Sequence, residues 1–217
     1  MLNSLNYKNI NFISSYLNIN DLPIDNFIEI ALIGKSNVGK SSILNILSNK
    51  KNLAKFSKTP GSTEFINLFE ISEKIRIIDL PGYGYLKNFK KKNKIQNLLN
   101  LYLKYRKNLK ALIILIDIRR FISYKDKKIL LWAKYYKIPF CIFLTKSDKF
   151  SKKQSKEKLY KIKKLINNYF NDYYININIF SSFNKIGLKF LKKIINIWYQ
   201  DISFYSSIEL IRKSPKI

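Results

Sequence analysis

Apolar residues fall along the chain in two patterns, and each pattern predicts a different secondary structure. Short, mostly apolar runs predict buried β-strands at residues 28–33, 65–71, 74–79, 111–117, 140–145 and 175–180. Apolar residues spaced three and four apart predict amphipathic helices at residues 40–49, 91–105, 126–137, 158–170 and 186–199. Ser72 and Glu73 separate the second and third apolar runs, which predicts a hairpin.

Strands that alternate with helices predict an α/β fold, in which a mostly parallel sheet has helices on both faces. The hairpin adds one antiparallel strand, and ligands are expected at the carboxyl ends of the parallel strands. A length of 217 residues suits one domain with short tails. We place an N-terminal extension at residues 1–22, the main domain at 23–201 and a basic C-terminal tail at 202–217.

The charge of the chain is strongly positive. Lys and Arg number 41 against 14 Asp and Glu, which gives a formal net charge of +27. Such an excess is typical of proteins that bind phosphate polymers. Lys, Asn and Ile dominate the composition while alanine is rare, so an adenine- and thymine-rich genome is a second explanation. The sequence leaves both explanations open.

Composition also excludes several kinds of chemistry. The chain has no histidine, which excludes imidazole bases, Ser-His-Asp triads and His-ligated metals. The single cysteine, Cys141, lies in an apolar run and is interpreted as a buried residue of a protein in a reducing compartment. The longest uninterrupted apolar run, 111–116, is far shorter than the roughly 20 residues of a membrane span. Because the N-terminus also lacks a secretion-signal pattern, we expect a cytoplasmic protein without membrane contact.

A segment between the first predicted strand and the first predicted helix fits the phosphate-loop pattern G-x-x-x-x-G-K-[ST]. It consists of Gly34, Lys35, Ser36, Asn37, Val38, Gly39, Lys40 and Ser41. In such a loop, backbone N–H groups surround the β-phosphate at the positive end of the helix. We expect Lys40 to neutralise β- and γ-phosphate charge and Ser41 to offer a hydroxyl to Mg²⁺. The flanking strand and helix argue against an accidental glycine-rich turn.

Two further loops carry groups suited to Mg²⁺ and the γ-phosphate. In the segment Asp79, Leu80, Pro81 and Gly82, the carboxylate would hold Mg²⁺ through water and the N–H of Gly82 would sense the γ-phosphate. In the polar loop 59–63, Thr63 would complete the metal shell only when a γ-phosphate is present, which would make this loop an ordering switch. By composition alone, the same loop is also an ordinary turn.

The segment Thr145, Lys146, Ser147 and Asp148 closes a predicted strand and is suited to reading a base. The Asp148 carboxylate can accept two hydrogen bonds from guanine that adenine cannot donate, while the Lys146 stem packs over the base. Many GTPases carry Asn where Thr145 stands, so a weaker contact is expected from the shorter hydroxyl. After the last predicted strand, Ser181 and Ser182 would offer backbone N–H groups to the guanine carbonyl oxygen.

Six segments together resemble the EngB family, also called YihA or YsxC, of bacterial ribosome-assembly GTPases. They are GKSNVGKSS (34–42), SKTPGSTEFINLFE (57–70), DLPGYGY (79–85), LIDIR (115–119), LTKSDK (144–149) and FSS (180–182). The resemblance extends over about residues 11–199. It implies a P-loop NTPase fold of the small G-protein-like, three-layer kind, within the TrmE-Era-EngA-EngB-Septin-like class. No KH, second GTPase or β-barrel domain is evident, which argues against Era, EngA and MnmE.

The resemblance also implies ligands, partners and further site residues. It implies that GTP or GDP binds at the phosphate loop and at residues 61–65, 79–82, 145–148 and 180–182, with Mg²⁺ held by Ser41 and Thr63. The site then gains the residues Gly61, Ser62, Glu64, Phe65 and Phe180. The implied role is maturation of the large ribosomal subunit, in which a monomer binds the subunit precursor and its rRNA. Normal cell division and septation would depend on that role.

Two positions bear on hydrolysis if the resemblance holds. Tyr83 stands where Ras-like proteins carry the glutamine that orients water, which implies slow intrinsic hydrolysis and stimulation by a partner. Asn37 matches an asparagine that helps to hold K⁺ near the phosphates in potassium-stimulated relatives, and a plain loop hydrogen bond is the alternative. Together with Lys40 and Gly82, Asn37 completes the predicted catalytic groups.

A run of lysines follows the DLPGYGY segment and is either a solvated helix start or a contact for rRNA phosphates. It consists of Lys87, Lys90, Lys91, Lys92 and Lys94. Arg119 and Arg120 receive no predicted role. We favour a GTP/GDP switch that binds a ribosome assembly intermediate. The alternatives are a constitutive basic rRNA-binding module with a structural nucleotide site and a P-loop ATPase or kinase, against which Asp148 argues.

Overall fold

The computed structural model describes residues 5–54, 65–84, 89–170 and 175–201. Its strands are β1 (Asn11–Tyr16), β2 (Ile28–Gly34), β3 (Ile66–Ser72), β4 (Ile75–Asp79), β5 (Leu109–Asp117), β6 (Phe140–Thr145) and β7 (Asn176–Ile179). Its α-helices are α1 (Lys40–Ser48), α2 (Phe89–Tyr105), α3 (Tyr124–Tyr135), α4 (Lys152–Tyr169) and α5 (Leu188–Gln200). Among the described residues, no helix is both long and apolar enough to cross a membrane.

The seven strands form one sheet in the order β1-β3-β4-β2-β5-β6-β7. Strand β3 runs antiparallel to both of its neighbours, β1 and β4. The pairs β2–β4, β2–β5, β5–β6 and β6–β7 are parallel. The predicted fold class is therefore confirmed, including the single antiparallel strand that the hairpin contributes.

Apolar side chains fill both faces of the sheet. One core cluster joins the sheet to α2, α3 and α4 through residues such as Leu99, Leu130 and Ile166, and the other joins it to α1 and α5 through residues such as Leu44 and Leu191. Every residue of β5 and β6 is buried. Each fully buried Leu or Ile stabilises the fold by roughly 1.5–3 kcal/mol, so these two layers of helices hold the central strands in place.

Two of the differences from the sequence prediction have a clear physical reason. The apolar pattern missed β1, because an edge strand with mostly exposed side chains needs no apolar run. It lies within the residues assigned to the N-terminal extension and pairs with β3, while the domain limits themselves stay a prediction. Helix α4 begins at Lys152 rather than at 158, because Ser151 and Gln154 form a capping box ahead of a polar first turn.

The parallel strands place the predicted motifs at one edge of the sheet. The phosphate loop follows β2, Asp79 ends β4, Asp117 ends β5 and Thr145 ends β6. The opposite edge carries the amino ends of the same strands, where Glu29 of β2 lies fully buried. We call these two edges the carboxyl end and the amino end of the sheet.

Candidate functional site

The phosphate loop joins β2 to α1 through two residues with left-handed backbone, Asn37 (φ 59°) and Gly39 (φ 114°). Such φ values are rare for residues other than Gly and Asn. A Cβ atom at Gly34 would lie 2.8 Å from the carbonyl oxygen of Leu115, so no side chain fits there. Helix α1 then begins at Lys40, and the N–H groups of its first turn have no partner within the helix. This geometry is suited to binding an anion.

A buried charge pair lies at the start of α1. Lys40 and Asp79 are 9% and 3% exposed. Burial lowers the pKa of Lys40, and the negative charge of Asp79 opposes that shift. Burial raises the pKa of Asp79 to about 6, and Lys40 and a hydrogen bond from Asn67 oppose that shift. The pair therefore lacks the solvation that ordinarily stabilises both charges.

One oxygen of Asp79 has no hydrogen-bond partner among the described residues, although it is fully buried. A buried polar atom in this state costs roughly 1–3 kcal/mol unless a ligand or water satisfies it. Carboxylate and hydroxyl oxygens are ligands that Mg²⁺ accepts. Asp79 and the hydroxyl of Ser41, in the first turn of α1, therefore fit a magnesium site. Thr63, the other predicted ligand, lies outside the described residues.

The segment after β4 lies directly on the phosphate loop. The N–H of Tyr83 donates to the carbonyl of Gly34 (3.3 Å), and the N–H of Ser36 donates to the carbonyl of Tyr83 (3.3 Å). The hydroxyl of Ser36 donates to the carbonyl of Gly82 (3.3 Å). A Cβ atom at Gly82 would lie 2.7 Å from the Cα of Ser36. Only glycine permits this close approach of the two loops.

The side chain of Tyr83 is buried rather than solvent-exposed. Its ring belongs to the core cluster that includes Ile95 and Leu99 of α2, and its hydroxyl donates to Asp126 Oδ1 of α3 (2.6 Å). Burial and the charge of Asp126 together raise the pKa of Tyr83 well above its ordinary value, so the hydroxyl remains a donor. In this arrangement the Tyr83 side chain contacts α2 and α3.

We call residues 145–148 the base-reading segment, after their predicted role. Side-chain contacts hold its carboxylate, Asp148, in place. Asp148 Oδ1 accepts a hydrogen bond from the hydroxyl of Ser181 (2.8 Å), and Lys149 Nζ lies 3.3 Å from Asp148 Oδ2. Burial acts to raise the pKa of Asp148, but the hydrogen bonds from Ser181 and Lys149 outweigh it and hold the pKa below its ordinary value. Asp148 is therefore an ionised acceptor in a fixed orientation.

Two side chains tie the base-reading segment to the phosphate loop. The hydroxyl of Thr145 donates to the carbonyl of Val38 (2.7 Å), and Lys146 Nζ donates to the carbonyl of Asn37 (2.7 Å). Thr145 is buried, with 3% of its surface exposed. Its hydroxyl thus bonds to the phosphate loop, and the weaker contact with the base stays a prediction. The two loops form one hydrogen-bonded unit.

Phe180 and Ser181 make contacts within the protein that the sequence did not predict. Phe180 packs in the core against Phe143, with ring centroids 5.7 Å apart, and its carbonyl accepts the N–H of Ser147 (3.2 Å). The N–H of Ser181 donates to the carbonyl of Ile186 (3.1 Å). Of the two serines, Ser182 is thus the better candidate for a backbone contact with the base.

Sequence reasoning missed an ion-pair cluster next to this unit. Arg119 donates to both oxygens of Asp117, through Nε (2.9 Å) and Nη2 (2.7 Å), and Lys146 Nζ lies 3.1 Å from Asp117 Oδ2. Burial acts to raise the pKa of Asp117, but hydrogen bonds from Arg119 and Lys146 lower it below its ordinary value. The LIDIR segment was the available signal, since Asp117 and Arg119 are two residues apart. Asp117 thus links Arg119 to Lys146.

The described residues therefore bring most of the predicted site together at the carboxyl end. The phosphate loop, residues 79–82 and residues 145–148 are linked by the contacts above. Phe65 begins a described stretch and is 40% exposed. The remaining predicted site residues of the segment 61–65 lie outside the described residues; they are Gly61, Ser62, Thr63 and Glu64. Lys87 of the lysine run lies outside them as well.

Comparison with protein families gives one match over more than half of the chain. A family model described as "50S ribosome-binding GTPase" matches residues 29–146. A protein of Buchnera aphidicola subsp. Schizaphis graminum named "Probable GTP-binding protein EngB" is 45% identical over 197 residues, covering 90% of this chain and 97% of that protein. A protein of the same name from Vibrio vulnificus is 42% identical over 196 residues, covering 90% of each chain.

Solved structures with low sequence identity share the fold. The crystal structure of a probable GTP-binding protein engB has a TM-score of 0.61 and 21% identity, covering 79% of this chain and 99% of that chain. A variant of Aquifex aeolicus Era bound to GDP.AlF4- has a TM-score of 0.62 and 21% identity, covering 80% of this chain and 57% of that chain. The fold is thus that of P-loop GTPases.

Proposed function

The chain belongs to the EngB family of GTP-binding proteins, and we propose that it is a GTP/GDP switch acting in assembly of the large ribosomal subunit. The observation that carries the nucleotide part is the hydrogen-bonded unit formed by the phosphate loop and the base-reading segment. Thr145 and Lys146 fix the distance between these loops, which is the property that recognition of a whole nucleotide requires. On this proposal the protein is a cytoplasmic monomer, and normal cell division and septation depend on it.

The positions of the predicted site residues support the following nucleotide contacts. Asp148 accepts hydrogen bonds from guanine, Lys146 packs over the base, and Ser182 offers its N–H to the guanine carbonyl oxygen. The phosphate loop surrounds the phosphates with its backbone N–H groups, and Lys40 neutralises their charge. Residues 61–65 supply the remaining contacts with the nucleotide.

Mg²⁺ would be held by Ser41 and Thr63, and Asp79 would contribute through water. The metal would neutralise charge on the β- and γ-phosphates. Lys40, Asn37 and the N–H of Gly82 stabilise the charge that develops at the γ-phosphate. Since the Tyr83 side chain bonds to Asp126, it is not placed to orient water, which supports slow hydrolysis that a partner stimulates. A potassium ion beside Asn37 is a further part of this proposal.

The nucleotide part is tested by equilibrium binding of fluorescent GTP and GDP in the presence of Mg²⁺, with ATP as competitor. We expect guanine-selective binding that Asp148→Ala weakens about 100-fold or more, because two charge-assisted hydrogen bonds are lost. Glu157→Ala is the control, since it removes an exposed carboxylate from α4. Competition by ATP as effective as that by GTP would instead support an ATPase or kinase.

The surface between α2 and α3 supports an RNA partner. Helix α2 has no acidic residue, and the one acidic residue of α3, Asp126, is 2% exposed. A groove between the two helices is lined by Lys92, Lys125 and Lys128. Burial, Lys92 and Lys35 together lower the pKa of Lys125, so positive charges crowd at this groove. We call this surface, formed by Lys92, Lys125 and Lys128, the α2–α3 basic face.

Exposed aromatic rings accompany these lysines. Phe89 and Tyr124 are 70% and 71% exposed. Lys92 Nζ lies 5.6 Å from the ring centroid of Phe89, and Lys128 Nζ lies 4.9 Å from that of Tyr124. Lysines bind RNA phosphates, and unpaired bases stack on exposed aromatic rings. The combination favours an RNA segment with unpaired bases.

The partner is tested by binding to precursors of the large ribosomal subunit at several salt concentrations. The variant Lys92→Glu/Lys125→Glu/Lys128→Glu is compared with Lys156→Glu/Lys161→Glu/Lys164→Glu, which reverses the same number of charges on α4. We expect the first variant to lose at least about tenfold in affinity and to show a shallower salt dependence. Equal losses in both variants would show that only the net charge matters.

The rival function, a constitutive RNA-binding module, differs from a switch in one measurable property. In a switch, GTP changes the affinity for the ribosomal particle, and the particle changes the affinity for GTP by the same factor. In a constitutive module neither effect exists. Measuring particle affinity with a non-hydrolysable GTP analogue and with GDP separates the two.

A further inference from the structure

Asp126 joins three parts of the molecule through one buried carboxylate. Oδ1 accepts the hydroxyl of Tyr83 (2.6 Å). Oδ2 accepts the N–H of Ser123 (2.7 Å), which completes the capping box at the start of α3. Lys35 Nζ of the phosphate loop lies 3.8 Å from Oδ2. A carboxylate that serves only as a helix cap does not need the first and third of these contacts.

Tyr83 is held to the phosphate loop by its main chain and to α3 by its side chain. Its N–H and carbonyl bond to Gly34 and Ser36, and its hydroxyl bonds to Asp126. The next residue, Gly84, has φ 116°, a conformation that favours glycine and turns the chain away. A displacement of Gly82 and Tyr83 by a γ-phosphate therefore acts directly on the Tyr83–Asp126 hydrogen bond.

The same hydrogen bond lies beside the α2–α3 basic face. Tyr83 lines the groove that Lys92 of α2 and Lys125 of α3 also line, and Asp126 follows Lys125 in the chain. An anion that binds to these lysines would change the spacing of α2 and α3 on either side of the Tyr83 ring. A γ-phosphate at the phosphate loop and an anion at these lysines would thus both affect the buried Tyr83–Asp126 hydrogen bond.

We propose that Asp126 is a positioning residue that, through Tyr83, couples the phosphate loop to the α2–α3 basic face, so that nucleotide state and RNA binding influence each other. This inference rests on the proposed function, because it needs an RNA partner. A two-state contact shared by two sites is the physical requirement for such coupling, and here the contact is a single hydrogen bond that can be removed without emptying the core.

The test uses the full chain and purified large ribosomal subunits as the probe. Subunit affinity is measured by co-sedimentation with a non-hydrolysable GTP analogue and with GDP, and the ratio of the two affinities reports the coupling. We expect a ratio of about tenfold in the native chain and a ratio below about twofold in Tyr83→Phe, which keeps the ring and removes the hydroxyl. A loosened fold weakens binding in both nucleotide states and leaves the ratio unchanged.

Tyr102→Phe is the matched control. The hydroxyl of Tyr102 also donates to a buried carboxylate, that of Glu29 (2.8 Å), but at the amino end of the sheet. The control should keep the native ratio. Asp126→Asn is the second variant if Tyr83→Phe does not fold, since it removes the charge and keeps an acceptor for Ser123; its ratio should fall as well.

The outcomes separate the two claims. A native ratio near one would overturn both the proposed switch and this inference. A native ratio near ten that persists in Tyr83→Phe, or that Tyr102→Phe lowers equally, would overturn only the inference.

Discussion

Glu29 at the amino end of the sheet and Asp79 at the carboxyl end are both buried carboxylates, but their hydrogen-bond partners differ. At the amino end, Glu29 is fully buried, and its two oxygens accept hydrogen bonds from Arg106 and from the hydroxyl of Tyr102 (2.8 Å). At the carboxyl end, Asp79 is 3% exposed, and one of its oxygens has no partner among the described residues. Both carboxylates are removed from water, but among the described residues only Glu29 has a hydrogen-bond partner for each of its two oxygens.

This difference distinguishes a structural group from a binding group. A buried carboxylate with all its partners in place fixes the arrangement of the elements around it. A buried carboxylate with an unsatisfied oxygen raises the free energy of the unliganded fold and is stabilised when a ligand arrives. We therefore expect substitutions of Glu29 and of Asp79 to change stability in opposite directions.

The largest effect is expected at the amino end. Replacing Glu29 with alanine leaves Arg106 buried without its carboxylate, so Glu29→Ala should lower the free energy of unfolding by about 3–5 kcal/mol. Urea unfolding followed by circular dichroism measures this loss. Glu157→Ala, at an exposed position of α4, should change stability by less than about 0.5 kcal/mol. A loss below about 1 kcal/mol for Glu29→Ala would show that the contacts of Glu29 with Arg106 and Tyr102 are not essential to the fold.

The sequence predicted the carboxyl end far better than the amino end. The phosphate loop and residues 145–148 are local segments, so their spacing in the sequence was enough to predict that they lie in one site. Glu29 and Arg106 are 77 residues apart, and nothing near either residue in the sequence specifies the other. The position of Tyr83 in the core was missed for the same reason, since its partner Asp126 is 43 residues away.

The second largest effect is expected at Asp79, where substitution should raise stability rather than lower it. Asp79→Asn removes a buried charge and keeps the shape of the side chain, so the nucleotide-free and metal-free protein should become more stable by about 2 kcal/mol at about pH 7.5. The same variant should bind GTP in Mg²⁺ about 30-fold more weakly, because a ligand for the hydrated metal is lost. Thermal unfolding in chelator and nucleotide titration measure the two quantities. A destabilised Asp79→Asn would contradict the comparison.

The pH dependence of this gain follows from the raised pKa. Burial raises the pKa of Asp79 from 3.8 to about 6, so between these values the folded state holds a proton that the unfolded state has released. The contribution of Asp79 to stability therefore falls as pH rises from about 4 to about 6. Native chain and Asp79→Asn should be equally stable below about pH 4 and should diverge above it. Parallel profiles across this range would refute the argument.

A smaller effect on GTP affinity is expected at Thr145, which joins the base-reading segment to the phosphate loop. Thr145→Val keeps the shape of the side chain but leaves the carbonyl of Val38 without the 2.7 Å hydrogen bond. We expect GTP affinity to fall about tenfold, or about 1.4 kcal/mol. Thr145→Ser keeps the hydroxyl and should bind within about threefold of the native chain. Equal binding by all three proteins would show that the loops are fixed by other contacts.

The smallest effect concerns Asp148, a carboxyl-end carboxylate that has partners within the chain. Ser181→Ala removes the 2.8 Å hydrogen bond to Asp148 Oδ1 and should lower GTP affinity about threefold, because the acceptor is less well oriented. Inosine triphosphate lacks the amino group of guanine, so its binding should change less. Ser182→Ala is the control, since the proposed contact of Ser182 uses its backbone. If Ser181→Ala instead changes stability and leaves guanine selectivity intact, Asp148 has a structural role like that of Glu29. The number of hydrogen-bond partners would then not distinguish a structural carboxylate from a binding one.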